Sequence, residues 1–96
     1  MVAVNRSVIR GVGACLPKRV MTNADMAKVV ETSDDWIVER SGIHSRHIAS
    51  DDELTSDLGI AACKQALVRS GIDPLDIDLV ICATATPDRT FPATAV

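Results

Sequence analysis

Apolar positions recur with two different spacings along the chain, and each spacing predicts a different element. From Ser7 to Ala14, β-branched residues stand among glycines and end at Leu16-Pro17, which predicts a first strand over 7–14. Met26, Val29 and Val30 fall at i, i+3 and i+4, a helical stripe. With Asn23 as N-cap and Asp25 in the first turn, they predict a short helix through about Glu31 with one buried face. Thr32 or Ser33 then caps a second helix of about two turns, with Asp34 and Asp35 near its positive end and Gly42 as its left-handed stop. Residues 43–49 alternate too loosely to assign beyond an irregular or short extended segment.

A longer third helix is expected from near Thr55 to Arg69 or Ser70, with Gly71 just past its end and Pro74 preventing continuation. Leu58, Ala62 and Ala66 form one stripe and Ile60, Cys63 and Leu67 another, with small residues that permit close packing on a sheet. Residues 77–83 form a nearly continuous apolar run, the pattern of a strand covered on both faces. From Thr84 onward, Pro87 and Pro92 indicate loop. Strand, three helical pieces and strand together predict an α/β fold with a right-handed crossover and parallel strands. Two strands do not make a stable sheet, so the sequence reads as cut off. Gly11 and Gly13 do not open a dinucleotide-binding loop, because Leu16 stands at the third glycine position and Pro17 follows it. They imply instead a backbone that a neighbour approaches closely, or a bulge.

With 96 residues, 47% of them hydrophobic, the chain is one domain at most, with no repeat, low-complexity tract or interdomain linker. Ten Lys+Arg against thirteen Asp+Glu lack the basic excess that would draw the chain onto nucleic acid or an anionic membrane. Arg6 and Arg10 interrupt the apolar N-terminus, which therefore offers neither a signal-peptide core nor a membrane span, and a cytoplasmic location is expected. Cys15, Cys63 and Cys82 are odd in number and contain no C-x-x-C, against both a zinc site and a secreted disulfide framework. They read as small buried hydrophobes; Cys82, inside the run 79–83, reads as an inert thiol. Trp36 and Phe91 are the only aromatic residues, so any core must be built from Ala, Val, Ile and Leu.

Thr32, Trp36 and Arg40 are spaced i, i+4, i+8 and share a face if their segment is helical. An indole can stack on a base, a guanidinium can fork onto phosphate and a hydroxyl can hydrogen-bond, so the trio suits a nucleotide. The plainer alternative is that Trp36 packs on the domain while Arg40 pairs with Asp34, Asp35 or Glu39. His44 and His47 lack convergent ligands and read as hydrogen-bonding residues rather than a metal site. Asp51, Asp52, Glu53 and Asp57 read as solvated charge near the third helix. Phe91, between prolines and small residues, should line a core, a pocket or a subunit contact. No Ser/His/Asp or Cys/His constellation can be assembled, so the chain alone should be inactive and a catalyst must be completed elsewhere.

The strings GVGACLP, TNADM, TSDDWIVERSGI, RHIA and ATATPDRTFPATA, which span essentially the whole chain, resemble the β-ketoacyl-acyl carrier protein synthase III enzymes. Residues 32–43 are the most specific of them. The resemblance implies a thiolase-like fold, of which residues 1–96 are the N-terminal part of the first α/β half, in a homodimer. It implies condensation of an acyl-CoA primer, commonly acetyl-CoA, with malonyl-acyl carrier protein, through a cysteine acylated first and a His and an Asn that assist decarboxylation. No metal or resident cofactor is implied. Trp36 matches the family's adenine-stacking tryptophan and Arg40 the arginine that meets coenzyme A phosphates. Thr32 and Ser41 fall on positions that line the same entrance in that family, and Phe91 on the phenylalanine that reaches toward the partner subunit's acyl pocket. Ser41 stands where threonine is common, and Cys15 where a larger residue is usual. None of the three cysteines matches the nucleophile, which would lie beyond Val96. Two other readings stay open: a non-catalytic coenzyme A-binding or interaction module, and a condensing enzyme of secondary metabolism with a different primer.

Overall fold

The computed structural model describes residues 2–96, which form two compact units. The unit Leu16–Leu54 is built on an antiparallel pair of strands, β1 (Arg19–Thr22) and β2 (Ser45–Ile48), with Arg19 opposite Ile48 and Thr22 opposite Ser45. Between them run α1 (Asn23–Met26) and α2 (Asp34–Ser41). Neither strand is legible as a period-two apolar pattern. Only Met21, Arg46 and Ile48 of the eight residues are half-buried, and backbone pairing rather than a hydrophobic stripe defines the ladder.

α1 begins one residue earlier than its sequence suggests, because Thr22 is the cap. The Thr22 hydroxyl accepts from the Asp25 backbone N–H at 3.1 Å, and the Asp25 carboxylate accepts from the Thr22 backbone N–H at 3.1 Å, a reciprocal capping box. The helix closes after Met26 and passes into turns. Val29 and Val30, expected on its buried face, are exposed. α2 matches expectation: Ser33 caps it through the Trp36 N–H, Asp34 and Asp35 lie in its first turn, and Gly42 ends it at φ +71°.

The second unit, residues 2–15 with Thr55–Val96, is organised on α3 (Thr55–Ser70), followed by Gly71 at φ +69° and a 3₁₀ turn over Pro74–Asp76. The expected parallel strands over 7–14 and 77–83 are not formed. Both segments lack ladder partners among the described residues, and Val8, Ile9, Leu79, Val80 and Ile81 are exposed. An extended segment becomes a strand only when a neighbour takes up its N–H and C=O groups. The first segment still carries strand-like alternation, with Gly11, Gly13 and Cys15 half-buried and Val12, Ala14 and Leu16 exposed.

The half-buried face of that segment lies on α3. A Cβ on Gly11 would sit 2.5 Å from the Ala66 carbonyl oxygen, and one on Gly13 would collide with the Ala62 carbonyl oxygen. The close approach inferred from the two glycines is therefore present, and the approaching neighbour is a helix backbone. Gln65 Oε1 accepts from the Ala14 N–H at 2.9 Å, and Arg69 Nη1 donates to the Val12 carbonyl at 3.1 Å. The stripe Leu58, Ala62 and Ala66 is half-buried, whereas Ile60 and Cys63 of the second stripe are exposed. No hydrophobic side chain among the described residues is fully buried, so the expected aliphatic core is not closed. Cys63 and Cys82 are exposed rather than buried, and Cys15 is half-buried.

Candidate functional site

α2 places Trp36 and Arg40 one turn apart on one side. The guanidinium carbon of Arg40 lies 4.7 Å from the centroid of the Trp36 ring, a cation–π stack. Trp36 remains 53% exposed, so the ring is not folded into the unit's interior. Neither Asp34, Asp35 nor Glu39 forms an ion pair with Arg40 among the described residues, whereas Lys28 pairs with Asp25 at 3.7 Å.

Beside the indole, Glu31, Thr32, Ser33 and Trp36 line an open cavity of about 200 Å³. That is smaller than the roughly 300–1,000 Å³ that encloses a drug-sized ligand, and suits one flat ring system rather than a whole coenzyme. Arg40 is not among its lining residues, so the guanidinium leaves that side of the indole open. Thr32 precedes α2 instead of lying within it. Its hydroxyl is buried and has no hydrogen-bond partner, an unspent polar group in the cavity wall.

Ser41 serves α2 itself. Its hydroxyl donates to the Ile37 carbonyl at 2.7 Å and accepts from the Ile43 N–H at 3.2 Å, which closes the helix end. Phe91 is 86% exposed and lines neither cavity, including the one of about 320 Å³ beside Ser56, Asp88 and Thr94. Its expected place in a core or pocket is thus not realised within this chain. His47 donates Nδ1–H to the Pro17 carbonyl at 2.6 Å, which fixes its tautomer, since a carbonyl only accepts. Among the described residues no group of His, Cys, Asp and Glu is placed to hold a metal ion. No helix there is long and apolar enough to cross a membrane. Asp52 and Glu53 are held below the ordinary carboxylate range, Asp52 chiefly by the Ser50 hydroxyl and Glu53 by the Ser50 backbone N–H.

The residue that sequence reasoning assigned too small a part is Asn23. It is 1% exposed, and its amide nitrogen donates to Asp34 Oδ1 at 2.8 Å and to the Ile43 carbonyl at 2.7 Å. Its carbonyl oxygen accepts from Arg46 Nη2 at 2.7 Å. The local T-x-x-D pattern could have moved the cap to Thr22 and released Asn23 from that role. Nothing local could have announced partners 11, 20 and 23 residues away.

No family model matches the chain. Its fold is that of thiolase-like condensing enzymes, represented here by a small α/β piece. It superposes on the crystal structure of 3-oxoacyl-[acyl-carrier-protein] synthase III from Aquifex aeolicus with a TM-score of 0.81 and 45% identity, over 91% of this chain and 28% of that one. The priming β-ketosynthase of the R1128 polyketide pathway matches with a TM-score of 0.69 and 36% identity, over 82% of this chain and 25% of that one. Within that class the chain is similar to β-ketoacyl-[acyl-carrier-protein] synthase III: the protein of that name from Rhizobium johnstonii is 65% identical over 91 residues, 95% of this chain and 28% of the relative. The family resemblance read from the motifs therefore holds along nearly the whole chain, and its extent is consistent with the N-terminal portion of such a synthase. The chain spans about 28% of the length of the curated relatives it matches.

Proposed function

We propose that residues 1–96 are the N-terminal part of a β-ketoacyl-acyl carrier protein synthase III domain and supply its coenzyme A-adenine wall. The complete enzyme condenses an acyl-CoA primer, acetyl-CoA in the simplest case, with malonyl-acyl carrier protein. It gives 3-oxoacyl-acyl carrier protein, free coenzyme A and carbon dioxide, as a cytoplasmic homodimer. The observation that carries this reading is the half-exposed Trp36 with Arg40 stacked upon it and an open cavity beside it.

In this reading the adenine stacks on the indole from the cavity side, with the Thr32 hydroxyl as a hydrogen-bonding group in the wall. The acids Asp34 and Asp35 at the start of α2 repel phosphates. The phosphate end therefore runs toward the Arg40 turn, where the guanidinium meets it as a forked donor. Ser41 contributes by holding the last turn of α2, and Phe91 by facing the partner subunit. In this reading the acylated nucleophile is none of Cys15, Cys63 and Cys82, since none of them falls at the family's nucleophile position. The likeness to a polyketide priming ketosynthase supports a second reading, the same scaffold with a different primer.

Replacing Trp36 by Ala in the complete enzyme tests the assignment. Stacking of a base on an aromatic side chain is worth about 1–3 kcal/mol by alanine substitution. The KM for the acyl-CoA primer should therefore rise about tenfold to a hundredfold, with the KM for malonyl-acyl carrier protein unchanged. An unaltered primer KM removes the coenzyme role.

A further inference from the structure

Resting on that reading, we infer that Asn23 is a positioning residue for coenzyme binding: its carboxamide clamps both ends of α2 and so sets where the Trp36–Arg40 pair stands. α2 has eight residues and buries none of them. A helix so short is marginal by itself, because nucleation is costly and few hydrogen bonds repay it. Packing orients it only weakly, since Ile37 and Val38 are half-buried and its other six residues are exposed. Its placement therefore depends on polar tethers at its ends.

The Asn23 amide provides these tethers. One N–H reaches Asp34, the first residue of α2, and the other reaches the carbonyl of Ile43, two residues past its last. The side-chain oxygen is held by Arg46 of β2, whose Nη1 also donates to the Met21 carbonyl of β1 at 3.2 Å. The backbone N–H of Asn23 donates to the His44 carbonyl at 3.2 Å. The clamp is thus anchored in the two-stranded ladder, the most regular part of its unit. A buried amide with both donors and its oxygen engaged has one favoured orientation, because any rotation would leave a desolvated group unpaired. The α2 segment inherits that orientation.

Truncating Asn23 could unfold the unit, so the discriminating variant is Asp34→Ala in the complete synthase. Asp34 is exposed, and its loss cuts one tether without opening a hole. Asp35→Ala is the matched control, since it also removes a first-turn acid of α2. Each variant is assayed with acetyl-CoA and with acetyl-pantetheine, which lacks the adenosine end. Asp34 is exposed and its charge screened by solvent, so losing this tether counts as losing one ordinary hydrogen bond, and Asp34→Ala should raise the KM for acetyl-CoA about three- to tenfold. Turnover with acetyl-pantetheine should be unchanged, and Asp34→Asn, which keeps an oxygen acceptor, should recover most of the affinity.

Equal effects of Asp34→Ala and Asp35→Ala overturn the inference. So does an equal loss on both thioesters, the signature of a merely structural role. If Trp36→Ala abolishes the preference for the complete coenzyme while Asp34→Ala does not, the clamp fails and the coenzyme reading stands. If neither variant affects that preference, both fall together.

Discussion

Gly13→Ala and Gly59→Ala are the same chemical change made in two environments, and the structure gives them opposite signs. At Gly13 the added methyl would overlap the Ala62 carbonyl oxygen and lie 2.8 Å from the Ala66 nitrogen. Both are backbone atoms of a 16-residue helix and cannot swing away as a side chain would. Relief requires the extended segment to lift off α3, which strains the Ala14–Gln65 and Val12–Arg69 hydrogen bonds. Overpacking of this kind costs about 1–3 kcal/mol. The reduced freedom of the unfolded chain returns about 0.4–1 kcal/mol, which leaves a net loss of roughly 2 kcal/mol at the upper end of the strain.

Gly59 lies inside α3, and nothing stands within 4 Å of the methyl it would gain. Alanine there should stabilise the helix by about 0.5–1 kcal/mol. For a domain of this size 1 kcal/mol moves the melting midpoint by about 4–8 °C. Thermal unfolding followed by far-ultraviolet circular dichroism should therefore show Gly13→Ala lowered, by roughly 8–16 °C at the upper end of the strain, and Gly59→Ala raised by a few degrees. A Gly13→Ala midpoint that rises would refute the close backbone approach, since the collision with α3 is the source of its expected loss.

Gly42→Ala probes conformation without crowding: the site is open, but φ is +71°. It should cost about 1–2 kcal/mol through the left-handed backbone alone, read as a lowered urea midpoint. An unchanged midpoint would mean that this turn does not hold α2. Asp88 caps α3 from the far end of its unit; the Ser56 hydroxyl, and next its backbone N–H, hold the carboxyl below the ordinary carboxylate range. Its folded pKa is depressed, so its contribution is fully present above that range and is lost as pH falls through it. Melting midpoints across an acid series should fall more steeply for the native chain than for Asp88→Asn, and parallel curves would remove the cap.

What the sequence made legible was local. α2 and α3 were readable because their stop signals, Gly42 and Gly71, and their first-turn acids act within a few residues of the backbone they terminate. The tight contact at Gly11 and Gly13 was readable because only glycine allows it. The strands failed in both directions for one reason. Pairing is a property of two segments, and the apolar runs over 7–14 and 77–83 announce burial without supplying a partner, whereas β1 and β2 find each other with little apolar content. The Trp36–Arg40 stack was visible as a spacing. The amide that fixes it was not, because its partners come from three separate stretches of chain.

The 96 residues contain a single tryptophan and no tyrosine. Ultraviolet emission excited in this segment therefore originates almost wholly at the α2 surface, beside a guanidinium and an open hollow. The chain carries its own optical probe at the place where a base would land, and quenching or a shift in its spectrum reports occupancy there without any attached dye.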